Sequence, residues 1–494
     1  MMKRRHMIAA VLAALLAASV TGCGGSSAQQ SSSNDLIDTT ATDSLSDPSE
    51  ITPEIVQESD DLTEYETESS IESIEGGNTG DEISFSKEGT IEETVLYDAD
   101  DVKITAKELT YGNYDAELKL VIENDSDSDI SVIAGSLGYS CNAVNQINVE
   151  DGYVNSDVAA GKKASEEASF SYEALMLYGI SEIADMELGF QIDFGDENTI
   201  YTGPLQVKTS LAESHDYSED NFKEYLCSSS LQSSLGYVVD FYGDRSLYDV
   251  NGLSLLSEAL LTNSAGRQSL VLEYVNNTEN SFEVTTSDIQ VNGLQVVSGC
   301  YSTTYIASGH RAFESLDMTM LIDKEFAKVY GIDTIRNISV TVGTRADAWS
   351  DPENEENVDI VITEGGPAYD ASGTEVYNSN GVRIVFKGFY EDPSDYSNDI
   401  HALFLAENNS GQEITIDDEY DSCSVNDMMV DFPFLMTTAV ASDGASVLDL
   451  DLSESDMEDA GISGPDDIEN AEISLEIRDI NYAAIDTAKI VLAN

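Results

Sequence analysis

One motif occurs three times along the chain without a gap: LYDADDVKI at 96–104, LYDVNGLSL at 247–255 and VYNSNGVRI at 376–384. In each, an apolar residue and a tyrosine precede a polar turn, and a strand then begins. The Asn251-Gly252 and Asn380-Gly381 pairs suit a tight turn that needs positive φ. A second mark follows, VNQINV from Val144, VNGLQV from Val291 and VNDMMV from Val425, at 47, 43 and 48 residues after the motif tyrosines. A third mark, Gly-Ile, begins at Gly179, Gly331 and Gly461, which is 82, 83 and 84 residues after the same tyrosines. Three marks in one order at nearly constant spacing make the chain a tandem triplication. Its unit of about 120 residues is the size of a domain rather than of a solenoid repeat.

Between the first two marks each copy reads strand, polar turn, strand. AELKLVIEN places Leu118, Leu120 and Ile122 on one face, and SLVLEYVNN and HALFLAENN are its counterparts. Alternation with period two predicts half-buried strands. After the turns DSDSD, TENS and SGQE, further strands are expected from Ile130, Phe282 and Ile414. Around the Gly-Ile mark, Ile180 with Ile183 and Ile332 with Ile335 are spaced for one face of a short helix that closes an end of each unit. The third copy has Gly464-Pro465 there and is expected to turn. The fold class is therefore mainly β: three β-sandwich domains in tandem, at 92–210, 246–365 and 366–494. A linker at 211–245 carries a possible helix over 219–226, capped by Ser218.

The N-terminus has a basic head, Lys3-Arg4-Arg5, and an apolar run from Met7 to Val20 that is too short to span a bilayer. The run ends at Val20-Thr21-Gly22-Cys23. This resembles the lipobox of bacterial lipoprotein precursors, in which the cysteine receives a diacylglyceryl group and becomes the first residue of the mature chain. The resemblance implies a signal peptide at 1–22, a lipid anchor at Cys23, and a membrane partner through that anchor on the outer face of the cell. From Gly24 to Ser86 there is no Lys or Arg, and Ser, Thr, Asp and Glu dominate. Residues 23–91 read as a disordered acidic tether, because such a segment buries too little apolar surface to offset its ordering entropy. The whole is similar to the tethered Ig-like domain arrays of gram-positive surface lipoproteins, without the Cys…Trp…Cys core of an antibody domain.

A formal net charge of −72 excludes a nucleic-acid partner and a flat position on anionic lipid. Chemistry-bearing groups are sparse. Beyond the signal, His215, His310 and His401 fall in a linker, a loop and a strand start, and read as surface or turn residues. No zinc-ligand spacing, nucleophile elbow or phosphate loop occurs. Asp125-Ser126-Asp127-Ser128-Asp129 alternates carboxylates as a calcium loop does, but Ile130 stands where such a loop needs glycine. DLDLSESDMED at 449–459 reads as a solvated loop. Cys141, Cys227, Cys300 and Cys423 fall one per copy and one in the linker, which favours free, buried thiols over a disulfide framework. Tyr97, Tyr248 and Tyr377 recur, so they are expected to pack where the first strand begins. No catalytic residue, metal site or cofactor is assigned. The expected function is a non-catalytic binding or scaffold role in the cell envelope, through protein contacts. A receptor for glycan or wall polymer is the alternative, and an envelope hydrolase the remote one.

Overall fold

The computed structural model describes residues 83–493 apart from 136–141, 196–198, 297–301, 319–323, 347–349, 364, 366–368, 393–396, 431–432 and 436. Cys23, the segment 1–22 read as a signal peptide, residues 24–82 of the expected tether, Cys141 and Cys300 lie outside the described residues.

Each copy is a pair of sheets packed face to face. The first copy's first sheet runs Thr94–Ala99, Val102–Tyr111, Asp115–Asn124, Lys162–Ser171, all antiparallel. Its second sheet is built on Ile130–Ala134, Val154–Val158, Asp185–Asp193 and Thr199–Lys208. The second copy repeats the plan. Tyr248–Val250, Leu253–Asn263, Gln268–Asn276 and Arg311–Asp317 form one sheet, and Phe282–Val291, Ser302–Ile306, Asn337–Arg345 and Glu353–Val361 the other. The third has Thr374–Ser379, Val382–Glu391, Ile400–Asn408 and Gly444–Leu452 against Ile414–Asp418, Thr438–Val440, Asn470–Asp479 and Ala484–Ala493. The second strands after the turns begin at Ile130, Phe282 and Ile414, as the alternation predicts. In the first copy Leu118, Leu120 and Ile122 are fully buried against Val132, Leu188 and Phe190 of the facing sheet.

The three sequence marks are structural devices. The first is a two-residue hairpin turn with positive φ at both positions: 52° and 90° at Asn251-Gly252, 53° and 80° at Asn380-Gly381, and 54° and 58° at Asp100-Asp101. Tyr248 packs into the core and donates to the Asn354 carbonyl at 2.8 Å; Tyr377 donates to Asp486 at 2.8 Å. Each thereby ties the first strand to the last. Tyr97 is packed against the core and bonds Asp100 of its own turn instead.

The V-N mark is a second tight hairpin, and its asparagine is a clamp. Asn145, Asn292 and Asn426 all have positive φ. Each donates its amide to the chain after the Gly-Ile mark, to Glu182, Thr334 and Asp467 carbonyls, at 2.8 Å. Each amide oxygen accepts from two further backbone N–H groups there.

The Gly-Ile mark does follow a short helix, Tyr172–Leu177, Lys324–Val329 or Glu454–Asp459. Contrary to the helical-face reading, Ile180, Ile183, Ile332 and Ile335 lie beyond the helix end. Gly179 and Gly331 turn the chain with φ of 79° and 69° first, and Ile180, Ile183 and Ile332 are buried in the loop that follows. In the third copy a 3₁₀ turn, Pro465–Asp467, follows Gly464.

Two boundaries shift. Residues 83–91, read as the end of the tether, pack on the first copy: Phe85 stacks on Tyr172 with ring centroids 4.5 Å apart, and Ser86 N–H donates to the Ser181 carbonyl. In the 211–245 segment the helix is Phe222–Leu226, with Asn221 at its N-cap. Ser218 instead donates to Asp216 in the preceding turn. A second helix, Ser229–Leu235, and a strand, Tyr237–Gly243, follow, and the strand adds to the second copy's first sheet.

Candidate functional site

The copies are joined through their sheets, and these joints gather most of the unusual side chains. At the first joint the V-N hairpin of copy one lays its Ile147–Val149 strand parallel to Arg311–Asp317 of copy two, pairing Ile147 with Arg311. The Arg311 N–H donates to the Gln146 carbonyl at 2.9 Å. At the second joint Leu294–Gln295 of copy two lies parallel to Gly444–Leu452 of copy three, pairing Gln295 with Ser446. Ser446 Oγ donates to the Gln295 carbonyl at 3.1 Å.

The helix before each Gly-Ile mark is the second contact. Tyr178, just past the first helix, stacks on Phe313 of copy two at 5.1 Å. Leu177 shares a core with Phe222, Leu226 and Tyr237 of the connecting segment and with Val271 of copy two. Tyr330 is fully buried and donates its hydroxyl to the Phe404 carbonyl of copy three at 2.9 Å. Phe326 packs edge-on to His401 at 5.0 Å, and Val385, Leu403, Leu405 and Val447 of copy three belong to the same core as copy two. Burial of these aliphatic and aromatic side chains between copies favours the joints.

Each of the three described histidines has a carboxylate partner; His215 and His310 close turns on the Leu211 and Ala307 carbonyls and His401 stands at a strand start, as expected, but His310 is buried rather than at the surface. His310 is buried, with Nε2 3.0 Å from Glu187 of the preceding copy and Nδ1 2.8 Å from the Ser308 carbonyl. His401 lies 2.8 Å from Asp449, and His215 3.0 Å from Glu182. Burial lowers the affinity of His310 for a proton, but the bond and charge of Glu187, the Ser308 carbonyl and the charge of Asp185 outweigh it and raise its pKa. His401 is raised in the same way, burial being outweighed by Asp449, Asp451 and Asp392. Arg311 completes the first joint with ion pairs to Asp220 at 2.9 Å and to the buried Glu273 at 3.0 Å.

Other acids titrate high through burial. Glu258 is fully buried, neither carboxylate oxygen has a partner, and it is pushed up to about 7. Glu150 is pushed up to about 7 and Asp151 to about 6; Asp151 accepts from the Ser171 N–H at 2.7 Å, at the N-cap of the Tyr172–Leu177 helix. That bond gives Asp151 a structural task.

The DSDSD turn is organised by the buried Asn124. Its amide donates to the Ser128 and Val158 carbonyls, and its oxygen accepts from Ser126. Asn276 and Asn408 do the same at turns without that acid pattern, so the carboxylates are not what shapes it. The 449–459 stretch is a strand end and a helix rather than a loop. Cys423 is buried and free; Cys227 is free but exposed, contrary to the expectation of burial.

The third copy breaks the pattern at both joint elements. Ala460 stands where Tyr178 and Tyr330 stand, and its hairpin exposes Met428 and Met429. Sequence reasoning passed over the tyrosine before Gly-Ile, although its loss in the third copy is legible there.

No protein-family model matches the chain, and neither does any curated protein. Among solved structures it is similar to one from a 1.5-MDa bacterial ice-binding adhesin, with 10% identity over 76% of this chain and 90% of that chain and a TM-score of 0.13. Red sea bream transglutaminase matches with 10% identity over 53% of this chain and 31% of that chain, TM-score 0.15. The exo-chitosanase of Amycolatopsis orientalis matches with 7% identity over 81% and 78%, TM-score 0.16. At such TM-scores none of these activities bears on this chain.

Proposed function

We propose that the chain is a lipid-anchored protein of the outer cell envelope, held through Cys23, with a non-catalytic binding or scaffold role exercised by its three sandwich domains. The observation that carries the reading is the pair of sheet-to-sheet joints, Ile147 with Arg311 and Gln295 with Ser446. They couple three domains into one unit that presents contact surfaces in fixed relation. The lipobox-like Val20-Thr21-Gly22-Cys23 and the acidic tether supply the anchor and the distance from the membrane.

Cross-linking on intact cells tests this, with the tagged protein recovered and its partners identified. Cys23→Ala is the control for anchoring. A reproducible protein partner that disappears in the control supports the scaffold role. Recovery of wall polysaccharide alone, still bound by the unanchored protein, replaces it with the wall-polymer receptor. Palmitate labelling that survives Cys23→Ala removes the anchor from the reading.

A further inference from the structure

Each internal joint is made of the same parts. A copy offers its V-N hairpin and the helix before its Gly-Ile turn. The next copy receives them on the outer face of its first sheet and along the edge of that sheet's closing strand. The third copy has both offering parts, and no described domain covers them. Met428 holds the position of Ile147 and Leu294: these are 5% and 0% exposed, whereas Met428 is 48% and the adjacent Met429 57% exposed.

The receiving parts of the first copy are uncovered too. Its closing strand, Lys162–Ser171, pairs with Asp115–Asn124; beyond it the Ser169 carbonyl takes the Gly152 N–H, the Ser171 N–H goes to Asp151 and Glu166 accepts from Ser156, while no strand among the described residues pairs with the other edge at its 162–165 end. Register locates the equivalent docking point. Lys163 lies opposite Glu123 as Arg311 lies opposite Val275 and Ala445 opposite Glu407. Lys163 and Ala164 therefore stand where Arg311 and Ser446 receive the preceding hairpin.

These two ends depart from the internal joints in complementary ways. The offering helix carries Glu454, Asp456, Glu458 and Asp459 in place of a mainly apolar or mixed surface. The receiving sheet carries Lys103, Lys107, Lys119 and Lys163, set among seven acidic residues. With Lys162 at the strand start, five of the chain's 22 basic residues are on this one sheet. The four pair with Asp98, Glu93, Glu108 and Glu123 at 2.6–3.6 Å; the first three carboxylates are exposed and Glu123 is half-buried. Exposed pairs of this kind exchange one carboxylate for another at little cost.

We propose that a second copy of this chain is the occupant: the third-domain hairpin around Met428 docks on the Lys162–Ser171 edge of the first domain of another molecule, head to tail. The inference names one partner for the scaffold role and rests on that reading. The contact is heterologous, so it leaves a free end at each side and extends rather than closes. With acids and lysines replacing the tyrosine plug, it is weaker than the internal joints, reversible and sensitive to salt.

Sedimentation of the full chain in mild detergent, over a range of concentrations at low and high salt, reads the association. Concentration-dependent oligomers are expected, weakened by salt. Met428→Lys and Lys163→Glu, both at exposed positions and checked for unchanged circular dichroism, should each reduce the association constant about tenfold or more. A photo-reactive residue at position 429 should cross-link to a peptide containing Lys162–Ser171. A monomer at every concentration overturns the proposal, as does association that both variants leave intact, or a cross-link to a different region. If the chain is monomeric while cells still yield another protein partner, self-association falls and the scaffold role stands.

Discussion

His310 Nε2 lies 3.0 Å from a carboxylate oxygen of Glu187, and the two residues belong to different copies. The pair links the protonation of one side chain to the first joint. Its histidine pKa is raised above the ordinary value, as is that of His401. The stabilisation is therefore complete below the unfolded-state value of about 6.5 and is lost as pH rises through the folded value. Glu150 and Glu258, pushed up to about 7, and Asp151, pushed up to about 6, act in the same direction. Between their ordinary values and these raised ones the folded chain holds protons that the unfolded chain releases. Thermal stability is expected to fall as pH rises from about 5 to 8. Glu258→Gln should raise the melting temperature at pH 8 and leave it nearly unchanged at pH 5. A melting temperature that rises across this interval refutes the assignment.

Replacing Asn292 with alanine removes an amide that bridges the Thr334 carbonyl and the N–H groups of Arg336 and Asn337. It also puts alanine at a φ of 53°. The expected loss is about 2–3 kcal/mol, from stranded backbone groups plus the left-handed conformation. Asn145→Ala should cost a similar amount. Asn426→Ala should cost less, because its bonds lie at the surface, where water replaces them. Chemical denaturation of the three variants gives the ranking, and equal losses at all three sites would contradict it.

Phe326→Ala tests the second joint. The ring is buried against Tyr390 and His401 of the next copy, so truncation opens a cavity worth about 3 kcal/mol. Tyr330→Phe keeps the ring and removes the bond to the Phe404 carbonyl, at about 1 kcal/mol. Hydrogen exchange should quicken in Ile400–Asn408 and Gly444–Leu452 for Phe326→Ala, and far less for Tyr330→Phe. Unchanged protection there in Phe326→Ala would show that the joint does not stabilise the third copy's first sheet.

The strands were legible because alternation is a local signal: the period-two run at Leu118, Leu120 and Ile122 needs no knowledge of what lies opposite. The tight turns were legible for the same reason, since Asn-Gly announces positive φ by itself. The joints were not. Tyr178 meets Phe313, and Tyr330 meets Phe404, across long stretches of chain, and nothing in the residues between declares the contact. The isoleucines after Gly179 and Gly331 were misplaced because their spacing also fits a helix, while the glycines end it. The histidines' carboxylate partners were not legible because they are distant in sequence: Glu187 for His310, Asp449 for His401. What the sequence did offer, and only the triplication makes readable, is the substitution of Ala460 for tyrosine and of Met428 for a buried aliphatic.

The two described cysteines should differ sharply toward an alkylating reagent. Burial pushes the Cys423 thiol up to about 12 and shields its sulfur, with Asp418 and Asp456 adding charge that opposes ionisation. Cys227 is exposed at the end of the Phe222–Leu226 helix; partial desolvation raises its pKa, and Lys223 offsets part of that. The thiolate is the reacting species, so at pH 8 Cys227 should be modified by iodoacetamide well before Cys423. Cys423 should react only on a timescale set by opening of the third core. Peptide mass spectrometry over a labelling time course separates the two sites. Equal rates would place Cys423 outside the core formed with Val425, Met457 and Ile462, and would overturn the packing of the third copy's second sheet against its helix.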